Sequence, residues 1–177
     1  MHQQTTHYRY RHTGYTLIEF MIVIALIAVA TLAVLGYKSV AKADSDTAIE
    51  TSNVAVLATK MPKLKAAGTY GPANTDLLKP LIALGGVPPT MSIASDKVTN
   101  AWGGDVTVVS TGPGYKITYS KLPVAACVSM AMGMSGGSTD IRTKIGGDKD
   151  LAGPVTAAQA TAGCKAVAND IVWTFAS

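Results

Sequence analysis

The sequence predicts an α+β fold in which a long N-terminal spine helix packs on an antiparallel β-sheet. Two observations predict it. A helical pattern of apolar residues runs without proline from about residue 16 to residue 60, and runs of alternating apolar and polar residues follow after residue 104. A long helix followed by a hairpin and further strands is the order typical of an α+β domain.

The long helix is predicted over residues 16–60 and has two halves. In the first half, residues 15–37 carry a single acidic residue, Glu19, and a helix of this length rises about 34 Å, which is enough to span a bilayer. In the second half, residues 38–61 keep an apolar stripe at helical spacing, with polar neighbours that include Glu50. This amphipathic half must therefore pack on another part of the chain.

The remainder, residues 62–177, is predicted to form a globular α+β head. Its first part, residues 62–103, is rich in Gly, Pro, Ser and Thr and is expected to have little regular structure. The predicted elements are, in chain order, a short helix over 75–84, a hairpin of strands over 105–110 and 115–120 around Gly112-Pro113-Gly114, a helix over 122–132 with Pro123 in its first turn, a short strand over 140–145, a helical turn over 156–161 and a final strand over 170–175.

Charge and composition exclude several classes of function. The 177 residues have a net charge of +4, which falls to +2 without residues 1–14 because Arg9 and Arg11 lie there. A nearly neutral chain with scattered cations argues against a nucleic-acid-binding protein. All three histidines also lie in residues 1–14 and no nucleophile–base arrangement follows, so the sequence predicts no enzyme, no cofactor and no metal site.

Two cysteines, Cys127 and Cys164, predict one disulfide if the domain is exported. The alternative is a pair of buried free thiols in a cytosolic protein. The apolar N-terminal segment favours the exported form, because it implies an oxidising destination. By chain-entropy reasoning, the bridge would contribute roughly 3 to 4 kcal/mol.

Two local clusters are interpreted as structural rather than chemical. The methionine-rich stretch 130–134 is expected to fill irregular gaps in the core, because methionine adapts its shape and no histidine or cysteine neighbour suggests a metal. The lysines at 60, 63 and 65 are expected to form a solvated surface.

Glu19 is the residue that the apolar segment alone does not explain. A charged group in the middle of a bilayer costs at least about 2.5 to 3.5 kcal/mol, so Glu19 requires a partner. A permanent membrane anchor leaves it unexplained. A secretory signal peptide cut near Ala28-Val29-Ala30 explains neither Glu19 nor the apolar residues that continue to Tyr37.

A third interpretation rests on the residues around the end of the basic segment, which runs into Gly14-Tyr15-Thr16-Leu17-Ile18-Glu19. An aromatic residue directly after the glycine and a glutamate in the fifth position resemble the class III signal of type IV pilins and related pseudopilins. The resemblance extends over the apolar residues 15–37 and, less specifically, over the head, whose order of elements is similar to the pilin roll. The long basic segment and Tyr15 in place of phenylalanine point toward the type IVb group, whereas Gly36 stands where many members have proline.

The resemblance implies a structural subunit of an extracellular type IV pilus. Residues 1–14 would be a leader cut after Gly14 by the prepilin peptidase, the new amine of Tyr15 would be methylated, and Glu19 would pair with that amine during assembly. The chain would lie in the inner membrane before assembly. Its partners would be further copies of itself in a helical homopolymer, the inner-membrane assembly platform and its ATPase. The segment between Cys127 and Cys164 would correspond to the D-region of pilins, the disulfide-closed segment near the C-terminus.

Two alternatives remain at this point. A pseudopilin or minor pilin of a secretion system would share every N-terminal feature, whereas a membrane-anchored or secreted binding protein would match by accident. Abundance and filament length separate the first alternative from a major pilin. The mature N-terminus separates the second, because it is Tyr15 in a pilin, a residue between Val29 and Leu32 in a secreted protein, and Met1 in an anchor. The sequence does not distinguish conjugation, adhesion, DNA uptake and motility.

Overall fold

The computed structural model of the chain describes residues 17–136, 139–147, 150–165 and 167–176, without the side chains of residues 30 and 32–40. Two compact units make up the chain, Met1–Ala41 and Lys42–Ser177. The predicted cut after Gly14 and the amine of Tyr15 lie outside the described residues.

Helix α1 spans Leu17–Lys60, as the apolar pattern predicts. It ends just before Pro62, which has no N–H to continue the helix, and a 3₁₀ turn over Met61–Leu64 follows. Within the second unit, the buried side chains of this helix and of the turn recur at helical spacing and face the core: Glu50, Asn53, Val54, Leu57 and Met61.

The described part of the head contains one antiparallel sheet of seven strands in the order β1-β2-β3-β4-β7-β5-β6. The strands are β1 (Ser92–Ala94), β2 (Lys97–Thr99), β3 (Asp105–Ser110), β4 (Tyr115–Leu122), β5 (Ile141–Ile145), β6 (Leu151–Ala152) and β7 (Asn169–Phe175), and the further helices are α2 (Leu78–Ala83), α3 (Val124–Ser135) and α4 (Ala157–Gly163). Both edge strands are very short, which limits pairing with strands of other chains.

The core lies on one face of this sheet, where alternate residues of the central strands are buried. Trp173 on β7 is fully buried and meets the ring of Tyr119 on β4 edge-on, with 5.8 Å between the ring centroids. Tyr115 stacks on Phe175 with centroids 4.7 Å apart, and its hydroxyl donates to the carbonyl oxygen of Ala58 on α1. The sheet therefore packs directly on the second half of α1, and the predicted α+β arrangement of spine helix and antiparallel sheet is confirmed.

The short strands were not predicted from the sequence. Residues 62–103 were expected to have little regular structure, yet they contain β1 and β2, and β6 is missing from the prediction as well. Strands of two or three residues form because a neighbouring strand is present, and their own sequence pattern is too short to indicate them. The turn between β1 and β2 has positive φ at Ser95 and Asp96. Glycine usually occupies such positions and marks a hairpin in the sequence, but here it is absent, so the sequence carries no signal for this turn.

One predicted helix start is confirmed and another is wrong. Helix α2 begins at Leu78, and of the two residues that the sequence offers near its cap, Thr75 and Asp76, the carboxyl oxygen of Asp76 accepts from the backbone N–H of Leu78 at 2.8 Å. Residues 75–77 pair with β3, where the N–H of Leu77 donates to the carbonyl oxygen of Val108. Helix α3 begins after Pro123, which is its N-cap, because Leu122 still belongs to β4. In both places the backbone hydrogen bonds of the sheet take precedence over local helix propensity.

Glu50 departs most from the sequence-based expectation. It was placed among the polar neighbours of the apolar stripe, but only 1% of its surface is exposed. One carboxyl oxygen accepts from the backbone N–H of Ala101 at 2.7 Å, and the other accepts from the side-chain amide of Asn53 at 3.1 Å. Burial raises the pKa of Tyr119, and the adjacent Glu50 carboxyl raises that pKa further.

The network around Glu50 joins α1 to two loops of the head. The amide oxygen of Asn53 accepts from the hydroxyl of Thr90 at 2.6 Å, which ties α1 to the loop before β1. The N–H of Ala101 belongs to the loop between β2 and β3. Because donors from two loops meet at one helical turn, the network fixes both the rotation and the height of this part of α1 on the head.

Asn100 shapes the loop that presents the N–H of Ala101. Its side-chain oxygen accepts from the backbone N–H groups of Trp102 and Gly104 at 3.0 and 2.9 Å, and its amide donates to the carbonyl oxygen of Ser120 at 2.8 Å. A Cβ atom at position 104 would overlap that same carbonyl group. The loop can therefore approach β4 only with glycine at this position.

Replacing Glu50 with alanine should destabilise the protein by about 2 to 4 kcal/mol, because it leaves the buried side-chain amide of Asn53 and the backbone N–H of Ala101 without their acceptor. Urea unfolding of the full-length chain in mild detergent, followed by tryptophan fluorescence, measures this change. Asp44→Ala removes an exposed acid from the same helix and is the matched control, with an expected change within about 0.5 kcal/mol. Equal losses in the two variants would contradict the role assigned to Glu50.

Candidate assembly site

The first described turns of α1 present large apolar side chains on every side of the helix. Each is between 48 and 79% exposed in the single chain. The residues are Leu17, Ile18, Phe20, Met21, Ile22, Val23, Ile24, Leu26, Ile27 and Val29. Soluble monomers rarely expose a continuous apolar surface of this kind, so this surface is suited to an apolar environment or to other apolar helices.

Glu19 lies within this apolar surface, between Ile18 and Phe20 in the first turn of α1. Gly14 and Tyr15, the two residues that the prediction associates with it, are outside the described residues, so their distance from Glu19 stays a prediction. Over the residues that the structure describes, no helix meets the length and apolarity needed to cross a bilayer.

The disulfide joins Cys127 to Cys164, as expected for an exported domain. Cys127 lies on α3, Cys164 is the C-cap of α4, and both are buried. Their Cα atoms are 5.9 Å apart, which is within the usual range for a disulfide. The bridge therefore holds α3 and α4 together beside the sheet.

The segment between the cysteines has more structure than the sequence indicated. It contains the predicted strand β5, the unpredicted strand β6, and α4, whose N-terminus is closed by reciprocal hydrogen bonds between Thr156 and Gln159. The buried hydroxyl of Ser135, at the end of α3, accepts from the backbone N–H of Val155 at 2.8 Å. Close packing of Gly163 on Ile145 leaves almost no room for a side chain at position 163.

The methionine-rich stretch packs in the core as predicted, with Met130 fully buried and Met132 and Met134 partly buried against it. Among the described residues, no group of three or more His, Cys, Asp or Glu side chains is placed to hold a metal ion. The described residues thus offer an apolar surface that contains the carboxyl group of Glu19, and a head closed by a disulfide.

A spine helix on an antiparallel sheet, with an N-terminal methylation motif that runs into the start of that helix, defines a type IV pilin. The family model described as the prokaryotic N-terminal methylation motif matches residues 9–35, and the model described as PilS N terminal matches residues 44–176. The chain belongs to the PilS family.

A solved structure supports the same assignment. The crystal structure of the type IVb pilin from Salmonella typhi is 30% identical in sequence to this chain, with a TM-score of 0.59. The match covers 73% of this chain and 99% of that one. Among curated proteins, none matches the chain.

Replacing Cys127 with serine should destabilise the head by about 2 to 5 kcal/mol. Urea unfolding of the full-length chain with and without a reductant measures this loss, and reduced wild type should unfold like the variant. Ser129→Ala, at an exposed position on the same helix, is the control and should change little. Two reactive thiols per chain in denatured, unreduced wild type would overturn the disulfide.

Proposed function

We propose that the chain is the structural subunit of an extracellular type IV pilus and polymerises through the N-terminal part of α1. The observation that carries the proposal is the exposed apolar surface of residues 17–29, which is uncovered in the single chain. A filament core made of such helices would cover it. The methylation motif over residues 9–35 supports the same function, since it is the motif of prepilin-type proteins.

The proposed division of the chain follows from this function. Residues 1–14 are the leader, residues 15–37 enter first the inner membrane and then the filament core, residues 38–61 carry the head on the spine, and residues 62–177 form the head. The prepilin peptidase acts on the leader, and the assembly platform and its ATPase act on the membrane-bound subunit. The head, with its short edge strands and its disulfide, faces the outside.

Transfer of the apolar helix from lipid to a filament core needs no large free-energy difference, because lipid chains and packed apolar helices are similarly apolar. Apolar contacts alone would not define how far one helix slides along another. A single carboxyl group can define it, because leaving a charge without its partner in a low dielectric is costly. In the proposed filament, Glu19 meets the cationic amine of Tyr15, and this pair sets the register between subunits.

Replacing Gly14 with valine should block removal of the leader and leave the uncut precursor in the inner membrane. The side chain would obstruct the residue before the cut, as the resemblance to prepilin signals implies. Protein gels and N-terminal sequencing measure the result, and the mature wild type should begin at Tyr15.

Gly36→Val makes the same replacement within the apolar segment but away from the cut, and this control should be processed normally. A mature Gly14→Val protein of wild-type size would contradict the prediction. An N-terminus between Val29 and Leu32 would indicate a secretory signal peptide instead.

Replacing Glu19 with alanine should leave leader removal and membrane insertion intact but lower the yield of sheared filaments by about tenfold or more. The reason is that the apolar contacts remain while the proposed register pair is lost. Met21→Leu, a nearly volume-conserving change on the same turn of the helix, is the control and should keep the wild-type yield. Normal filament yield from the Glu19→Ala variant would remove the register role.

A further inference from the structure

The outer face of the sheet, opposite the core, carries three cations on neighbouring strands. Thr174 on β7 is paired with Lys116 on β4 and with Arg142 on β5. Two residues away, Val172 is paired in the same way with Thr118 and with Lys144. Residues opposite one another in an antiparallel sheet point to the same face, so the three cations form one patch, named here the basic sheet patch.

The spacing of the basic sheet patch follows from sheet geometry. Lys116 and Arg142 lie two strands apart, which separates their backbones by about 10 Å, and Arg142 and Lys144 are separated by about 7 Å along β5. Arg142 is exposed, and the two lysines are half-buried, as is common for lysines whose aliphatic chains cover neighbouring residues while the ammonium group stays in water. The patch is therefore a flat array of charges on a rigid support.

None of these cations has an acidic partner within the part of the chain that the structure describes. The ion pairs found there join Lys42 to Asp46 and Lys79 to Asp96, and neither pair includes a residue of the patch. On the outer face, Asp170 of β7 accepts from the backbone N–H of Lys121 at 3.3 Å. Asp76, which is paired with Val109 in the same cross-strand row as Lys116, accepts from the backbone N–H of Leu78 at 2.8 Å. Asp140, which precedes β5, also has an interaction of its own.

The side chains between the cations can form hydrogen bonds with a ligand. Thr118 and Thr174 are half-buried, and Thr107, which is paired with Thr118 on β3, is exposed. None of the three hydroxyl groups makes a hydrogen bond to another described residue. The described strands place no aromatic side chain on this face, so stacking of bases or sugar rings is not available there.

We propose that the basic sheet patch binds an anionic polysaccharide, with its carboxylate or sulfate groups on Lys116, Arg142 and Lys144 and its hydroxyl groups on the threonines between them. Duplex DNA fits less well, because three cations neutralise few phosphates and the chain as a whole is nearly neutral. Single-stranded nucleic acid would require the stacking surface that this face lacks. Each copy of the head carries the whole patch, so the proposal does not depend on filament formation.

The test measures binding of the purified full-length chain, in mild non-ionic detergent at about 0.15 M salt, to labelled dextran sulfate and to labelled polygalacturonate. The variant that replaces Lys116, Arg142 and Lys144 with glutamine should lose at least about tenfold in affinity for both probes. The matched control replaces Lys60, Lys63 and Lys65 with glutamine and removes the same total charge at the end of α1 and in the turn that follows it. It should bind within about twofold of wild type, since the Debye length is about 8 Å at this salt concentration and charges outside the patch contribute little.

Several outcomes would overturn the proposal. They are wild-type affinity in the patch variant, an equal loss in the lysine control, equal binding of neutral dextran, and tighter binding of duplex DNA than of either polysaccharide. The arginine-for-lysine variant at positions 116 and 144 keeps the charges and should keep the affinity, which shows that the charge is what binds. A wild-type urea unfolding midpoint of the glutamine variant shows that its loss of affinity is not due to misfolding. Filament yield, measured separately, reports on the proposed pilus function and is expected to stay unchanged in all these variants.

Discussion

Burial of the Glu50 carboxyl group is the constraint on which the packing of the head depends. A carboxyl group with 1% exposure requires donors, and the chain supplies them from the loop that contains Ala101 and from Asn53 on the same helix. Apolar residues such as Val54 and Leu57 would tolerate small rotations of α1, because apolar contacts have no direction. The hydrogen bonds do not tolerate them, so the polar network selects one arrangement of helix and sheet. The glycine at position 104 is a consequence, since the loop must approach Ser120 closely to aim its N–H at Glu50.

The long elements of the fold could be predicted from sequence because their pattern repeats many times. Helix α1 has 44 residues, and the strands β3, β4 and β7 alternate over six to eight residues. The short strands could not be predicted, since β1 and β6 owe their existence to a neighbour in space rather than to their own residues. The pairing of residues 75–77 with β3 could not be predicted for a related reason, since these hydrogen bonds depend on a strand that is distant in the sequence.

In the candidate sites, too, some residues could be predicted from the sequence and others could not. Cys127 and Cys164 could be paired from sequence because the chain has only two cysteines. Glu50 could have been found, because it stands four residues before Val54 and seven before Leu57 and so falls on the buried stripe. It was placed with the polar residues because glutamate is rarely buried. The basic sheet patch could not be found, since Lys116 and Arg142 are distant in the sequence and only the insertion of β7 between β4 and β5 brings them together.

The two faces of the sheet allow the proposed filament subunit to combine a fixed architecture with a variable surface. Buried residues such as Trp173 and Tyr119 are constrained by packing density, where even one added or removed methylene group is costly. The outer positions of the same strands, such as Lys116 and Thr174, face solvent and can change with little effect on stability. Packing and surface properties can therefore be changed independently along one strand, because successive side chains point to opposite faces of the sheet. In a homopolymer every subunit displays the same outer face, so a weak ligand contact on one head is repeated along the filament. A long polymer ligand that reaches several heads would therefore bind with an affinity far above that of one contact.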